Sequence, residues 1–207
     1  MRLFIFGAGQ IATVIGSYFV DTKKYSQVLY VVDEGFIDQG IDVSGPVLTW
    51  REAQETALPA SDLWFTAISF KNRNRLRAEV ASRIEKLGYR FASYIHPTAT
   101  CSSDFCIQPN SIIMENNVFQ VKTSLGANSI VWSNNHVGHH TKIGKNAFIA
   151  SEVCISGSCE IGENSFFGVN STVIDNMKIG NNVIIGAGTL ITKSVDDDSV
   201  VKGNSST

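Results

Sequence analysis

Residues 125–160 read LGANSI VWSNNH VGHHTK IGKNAF IASEVC ISGSCE, and each block of six opens on an apolar residue: Leu125, Val131, Val137, Ile143, Ile149 and Ile155. Stepping outward by six adds Ile107, Ile113 and Phe119 before, and Ile161, Phe167, Val173, Ile179, Ile185 and Ile191 after. A helix repeats its faces every 3.6 residues and a strand every two, so neither produces this spacing. A period of six is that of a parallel β-helix, in which each block builds one face of a three-sided coil. A second period supports the triangle. Leu125-Gly126-Ala127-Asn128, Ile143-Gly144-Lys145-Asn146, Ile161-Gly162-Glu163-Asn164 and Ile179-Gly180-Asn181-Asn182 recur every 18 residues, one full turn of three faces. Gly and Asn suit the corners because both tolerate positive φ. The sixth residues point inward and stack about 4.8 Å apart, so fifteen blocks make five coils about 24 Å long.

Working back towards the N-terminus, the rule changes. Leu3–Phe6, Val28–Val32 and Leu63–Ile68 read as strands, while Gln10–Phe19 and Asn72–Leu87 read as helices, the second ending at Gly88. Strand–helix alternation predicts a parallel sheet in an α/β layer fold. Phe91–Ile95 crosses into the second half, with His96-Pro97 as a break. The expected division is therefore a Rossmann-like domain over residues 1–92 and a β-helix over residues 93–207.

The first turn, Gly7-x-Gly9-x-x-Ala12, opens a helix after a strand, and Asp33 ends the next strand, which matches the dinucleotide fingerprint. Read alone, it indicates NAD. A region of about 92 residues is too short for two mononucleotide halves, and no hydride-transfer domain follows it. The helix N-terminus, at Gly7, Ala8, Gly9 and Gln10, still forms a phosphate cradle, which the resemblance to a family of nucleotide-sugar enzymes, carried by the repeat and this turn together, assigns to the diphosphate of a nucleotide-linked sugar. Asp33 and Glu34 are placed near the sugar or nucleoside, and Lys71 near phosphate; each of the three also reads as a solvated surface residue.

Composition narrows the classes. Hydrophobic residues make up 43% of the chain, enough for a packed core. The net charge of −2 without a Lys/Arg block argues against a nucleic-acid binder. No apolar run approaches the roughly 20 residues of a bilayer span, and the N-terminus lacks a signal-peptide pattern, so no membrane insertion and a cytoplasmic location are expected. Cys101, Cys106, Cys154 and Cys159 read as reduced thiols, and their two C-x4-C spacings are not a zinc signature.

The repeat, together with Phe6-Gly7-Ala8-Gly9 and Val32-Asp33-Glu34 in front of it, resembles the hexapeptide-repeat acyltransferases, in particular the NeuD/PglD-like nucleotide-sugar acyltransferases of bacterial surface-glycan synthesis. The resemblance implies left-handed winding of the β-helix and homotrimers with each active site in the groove between two β-helices. It implies acetyl-CoA as co-substrate, no metal, and a UDP-, dTDP- or GDP-linked sugar as acceptor. The family's catalytic histidine stands five residues before the Gly of the next Ile-Gly corner, which is His139 here. The chemistry needs such a group. An attacking amine or hydroxyl must lose a proton, and imidazole accepts one at neutral pH. The tetrahedral oxyanion needs a backbone donor. Gly157, 18 residues on, is the candidate, although it also reads as a plain corner glycine. The family commonly has an acidic residue after the base, and this chain has His140; Asn134, Asn135 or a backbone carbonyl are alternative orienting groups. Phe148, Val169, Gly186 and Ala187, with Gly157, are the residues the resemblance sets along the coenzyme.

Alternatives remain open at this point. His136, His139 and His140 all read as solvated corner residues too, and three histidines in five residues raise a zinc site, for which a third ligand at longer separation is missing. The chain also reads as a NAD-binding protein that uses the β-helix to oligomerise, or as a trimeric scaffold without activity.

Overall fold

The apolar runs near the N-terminus become a parallel sheet in a computed structural model of the chain, which describes residues 1–37 and 39–203. The elements are β1 (Arg2–Phe6), α1 (Gln10–Asp21), β2 (Gln27–Val32), β3 (Val47–Thr49), α2 (Trp50–Thr56), β4 (Leu63–Thr66), α3 (Arg75–Lys86) and β5 (Arg90–Phe91). The sheet order is β3-β2-β1-β4-β5, and every pair is parallel. Leu3, Phe4 and Ile5 of β1 are fully buried, as befits a strand covered on both faces. One face packs Phe4, Phe6, Leu29, Val31 and Trp64 with Val80 and Ile84 of α3. On the other, Phe19 of α1 meets Phe65 at 5.2 Å between ring centroids.

Two features depart from the sequence reading. β3 and α2 fall between Val32 and Leu63, where the sequence reading names no element. Thr49 caps α2 in a reciprocal pair with Glu52, which satisfies two helix-terminal donors. Helix α3 begins at Arg75 rather than Asn72, because Asn72, Arg73 and Asn74 all take positive φ (53°, 52° and 61°). Those left-handed residues cannot continue into a right-handed helix.

The chain divides into two compact units, one of Met1–Ser69 with Leu76–Ala92, the other of Phe70–Arg75 with the chain from Ser93 onward. The short segment Phe70–Arg75 thus groups with the second half. Phe70 lies against Phe166 (4.2 Å) and Phe148 (5.5 Å), and Asn74 Nδ2 donates to the carbonyls of Asn164 and Ser165.

The second unit is a parallel β-helix of two-residue strands in three sheets. The first face carries Ile112–Ile113, Ile130–Val131, Phe148–Ile149, Phe166–Phe167 and Ile184–Ile185; the second carries Val118–Phe119, His136–Val137, Cys154–Ile155, Thr172–Val173 and Leu190–Ile191; the third carries Ser124–Leu125, Lys142–Ile143, Glu160–Ile161 and Lys178–Ile179. Partners lie 18 residues apart, as in Val137↔Ile155 and Ile143↔Ile161. From Ile113 to Ile191 every stepped residue is buried in one continuous core, with Ile107 packed against it.

The coils begin earlier than the hexad count of the sequence, with Tyr94–Ile95 and Thr100–Cys101 already paired to the next coil. At the C-terminal end the interval drops from 18 to 16: Ile179 bridges Val195, and Ile185 pairs Val201. Asn110, Asn128, Asn146, Asn164 and Asn182, at the edge between third and first faces, take positive φ and pass a side-chain hydrogen bond from coil to coil at 2.8–3.1 Å. Gly126 and Gly144 serve differently. A Cβ on Gly144 would lie 2.8 Å from the Glu163 amide nitrogen, so glycine there lets successive coils stack.

Candidate active site

His139 stands at the edge between the second and third faces, after the strand His136–Val137 and before Lys142–Ile143. Two hydrogen bonds fix its backbone: its N–H donates to Gln120 Oε1 (2.9 Å) and its carbonyl accepts from Ser158 N–H (2.8 Å). Its ring lies on Gly157, one coil further on. A Cβ at Gly157 would come within 2.6 Å of His139 Cε1 and 2.8 Å of Nε2. The absence of a side chain at Gly157 is thus what leaves room for the ring in this position, and Gly157 is more than a turn residue.

His140 occupies the left-handed corner (φ 60°) and turns its ring back, so that the two Nδ1 atoms are 3.1 Å apart and the ring planes stand at 86°. One Nδ1 donates and the other accepts. When His139 Nδ1 is the donor, its Nε2 keeps a free lone pair, the tautomer a proton acceptor needs. His140 thus stands where an orienting acid was sought. The other two orienting candidates do not reach His139. Asn134 Nδ2 donates to Glu152 (2.8 Å), and Asn135 is buried between coils, donating to Trp132 O and accepting from Val153 N–H. The spacing of the coils draws both amides into the inter-coil ladder.

Beside the two rings opens a groove of about 640 Å³ lined by Thr100, Cys101, Ser102, Val118, Phe119, Gln120, Val121, His139 and His140. Gln120 is a residue that sequence reasoning missed, and so is Asp175. Gly157 N–H, expected to face an oxyanion, donates to Asp175 Oδ1 at 2.8 Å. His139, Gly157 and Asp175 follow one another at 18-residue steps on one edge.

The remaining coenzyme candidates lie elsewhere. Val169, Gly186 and Ala187 are on the edge between first and second faces, and Val169 is half exposed. Within one chain they do not share an edge with His139. Phe148 is buried on the first face beside Phe70 and Phe166, and on a different face from the His139 edge.

In the first unit, Gly7 has φ 123°, and a Cβ there would lie 2.6 Å from Ala67 O, so only glycine fits the turn. Gly9 is the N-cap of α1 and supplies no side-chain cap, which leaves the first amides of the helix, from Gln10, without a side-chain acceptor at Gly9. Ala8 is buried and its carbonyl accepts from Asp42 N–H. Asp33 is paired with Arg83 at 2.8 Å, and Arg83 in turn lies 4.2 Å over the Trp50 ring. Glu34 accepts from Arg51 N–H at 3.1 Å at the start of α2. Both acids therefore already have partners inside the unit. Lys71 is exposed and belongs to the second unit. Among the described residues, no group of three or more His, Cys, Asp or Glu is placed to hold a metal ion, and no helix is long and apolar enough to cross a membrane.

Comparison with known proteins agrees with this fold. Residues 122–157 and 158–193 each match the bacterial transferase hexapeptide (six repeats) family. The acetyltransferase domain of PglB from Neisseria gonorrhoeae is 26% identical, with a TM-score of 0.87 over 99% of this chain and 97% of that one. The same domain in complex with acetyl coenzyme A superposes with a TM-score of 0.88 over 98% of this chain and 96% of that one, again at 26% identity. A perosamine N-acetyltransferase from Caulobacter crescentus, crystallised with CoA and GDP-perosamine, shares the fold at 23% identity, with a TM-score of 0.86 over 98% of this chain and 94% of that one. No curated protein matches the sequence. Residues 122–193 carry the bacterial transferase hexapeptide repeat, and the whole chain has the left-handed β-helix fold of the acetyltransferase domain it superposes on. More narrowly, it shares with the PglB acetyltransferase domain and the Caulobacter perosamine N-acetyltransferase a fold in which a Rossmann-like α/β region precedes that helix.

Proposed function

We propose that this enzyme transfers the acetyl group of acetyl-CoA to the amine of a nucleotide-linked amino sugar, with His139 as general base. The observation that carries the reading is the placement of the His139 ring, held between His140 and Gly157 at the mouth of an open groove. The PglB domain binds acetyl coenzyme A, and the Caulobacter enzyme was crystallised with CoA and GDP-perosamine, a nucleotide-linked sugar.

The acceptor nitrogen attacks the thioester carbonyl carbon while His139 Nε2 takes its proton. The tetrahedral oxyanion collapses, the C–S bond breaks, and the imidazolium returns the proton to the departing thiolate. Acetylated amine and CoA thiol are the products, and the histidine is regenerated. His140 holds the ring through Nδ1 and stabilises the imidazolium's orientation. Gly157 N–H serves as the backbone donor for the oxyanion, once released from Asp175.

We assign the diphosphate of the acceptor to the turn Gly7-Ala8-Gly9-Gln10 at the start of α1. A second copy of the chain would bring an edge carrying Val169, Gly186 and Ala187 to the groove beside His139. A homotrimer follows, with the second face as its contact: its outer column (Thr100, Val118, His136, Cys154, Thr172, Leu190) carries no formal charge with histidine neutral, whereas the third face carries Lys142, Glu160 and Lys178. Dependence on acetyl-CoA and an activated sugar suits an early, cytoplasmic step in making a bacterial surface glycan such as O-antigen lipopolysaccharide. The test is a panel of UDP-, dTDP- and GDP-linked sugars, each with a free amine or a hydroxyl at the same carbon, incubated with acetyl-CoA and followed by thiol release and product mass. The reading expects a mass gain of one acetyl on an amino sugar. Gain only on hydroxyl sugars would reassign the acceptor, and no gain on any would refute the activity.

A further inference from the structure

Gly157 N–H carries one proton, and in this structure it is given to Asp175 Oδ1 at 2.8 Å. A thioester oxygen that uses the same N–H must displace that carboxylate. The competition is also electrostatic, because a carboxylate at hydrogen-bond distance from the donor repels the negative charge that grows on a carbonyl oxygen there. Asp175 is exposed, at the same edge position as His139 and Gly157, so its side chain has room to swing aside.

We propose that Asp175 sets the enzyme's discrimination between an acyl-CoA thioester and free CoA, by competing with the acyl carbonyl for Gly157 N–H. The inference rests on the acyl-CoA reading above. Asp175 acts through the Gly157 amide and is a positioning residue. Its carboxylate weakens the thioester selectively: free CoA has no carbonyl at that point and needs no N–H, so it binds without displacing Asp175.

A plain structural reading also exists. Other edges have similar side-chain acceptors, such as Asn181 Oδ1 for Glu163 N–H (2.9 Å), which tie coils together. The two readings differ in what they do to a ratio. Binding of acetyl-CoA and of CoA, each without acceptor, is measured by calorimetry on the full-length wild type, Asp175→Ala and Asp175→Asn. Loss of a negative charge near a polyanionic ligand tightens both ligands together and cancels in the ratio. Release of the N–H favours acetyl-CoA alone. Asp175→Ala should raise the acetyl-CoA preference about tenfold, the size of one hydrogen bond to a charged group. Asp175→Asn, which keeps an acceptor oxygen without the charge, should raise it less, and it provides the same reading should the alanine variant fold poorly. An unchanged ratio in both variants overturns the proposal while leaving the acyl-CoA assignment intact. Failure of the wild type to bind either ligand overturns both.

Discussion

The imidazole of His139 rests on Gly157 so closely that a methyl group at residue 157 would lie 2.6 Å from the ring's Cε1. That contact is between a side chain and a missing side chain, which makes its consequence specific. Gly157→Ala pushes a ring aside without forcing two backbones apart. The variant should melt within a few degrees of wild type, whereas kcat should fall about 100-fold, the usual effect of misplacing a catalytic group by an ångström. Steady-state kinetics beside a melting curve separates the two.

His140 should matter through orientation alone. Its Nδ1 is 3.1 Å from that of His139, and it occupies a left-handed corner with φ 60°. His140→Asn keeps a residue that accepts this backbone and removes the ring contact. The expected result is a fall of about tenfold in kcat with KM for acetyl-CoA unchanged, the pattern of an interaction realised only in the transition state.

The asparagine ladder should be the main polar support of the coil edge. Asn146 has φ 61°, accepts from Asn128 and donates to Asn164. Asn146→Ala loses these bonds and strains the backbone, for a cost of about 2–4 kcal/mol. Asn146→Gly removes the bonds but relieves the strain, so it should cost about 1–2 kcal/mol less than alanine. Urea denaturation of both variants measures the difference.

Much of the β-helix was legible because its rule is simple: one inward residue in six, all apolar, without a break from Ile107 to Ile191. Its ends were not. Cys101 does not announce itself as a core residue, and the shift to a 16-residue interval at Val195 removes the last coil from the count. Short elements were hidden as well. The three-residue β3 and seven-residue α2 are too short for periodicity, although Thr49-x-x-Glu52 is the signature of a capped helix start. At the site, the family resemblance singled out His139 and the 18-residue coil step led from it to Gly157; one more such step reaches Asp175. Gln120 was not legible: it reaches the His139 amide across 19 residues, from outside that column. The surroundings of Phe148 and Asp33 were hidden for a common reason. Each looks available along the chain, yet Phe70 covers the one and Arg83 pairs the other.

In the first unit, Asp62 ties the chain start to the loop before β4. It is almost fully buried, bonds Arg2 at 2.5 Å and accepts from the amides of Leu58 and Arg2. Burial pushes its carboxyl up, but the Arg2 guanidinium and the two amides more than offset this and hold it below the ordinary carboxylate range. Because the folded value is the lower one, the stabilisation is present above the unfolded pKa of about 3.9 and is lost as pH falls through the folded value. Asp62→Ala should cost about 1–3 kcal/mol at pH 7. The gap between variant and wild type in urea unfolding should close below pH 4.

The most direct measurement is acetyl transfer by His139→Asn, followed as thiol release with the best nucleotide-linked amino sugar, alongside calorimetric binding of acetyl-CoA. Loss of a general base predicts turnover reduced by about 10²–10⁴-fold with acetyl-CoA binding retained. Turnover within twofold of wild type would contradict the assignment of His139 and the mechanism built on it.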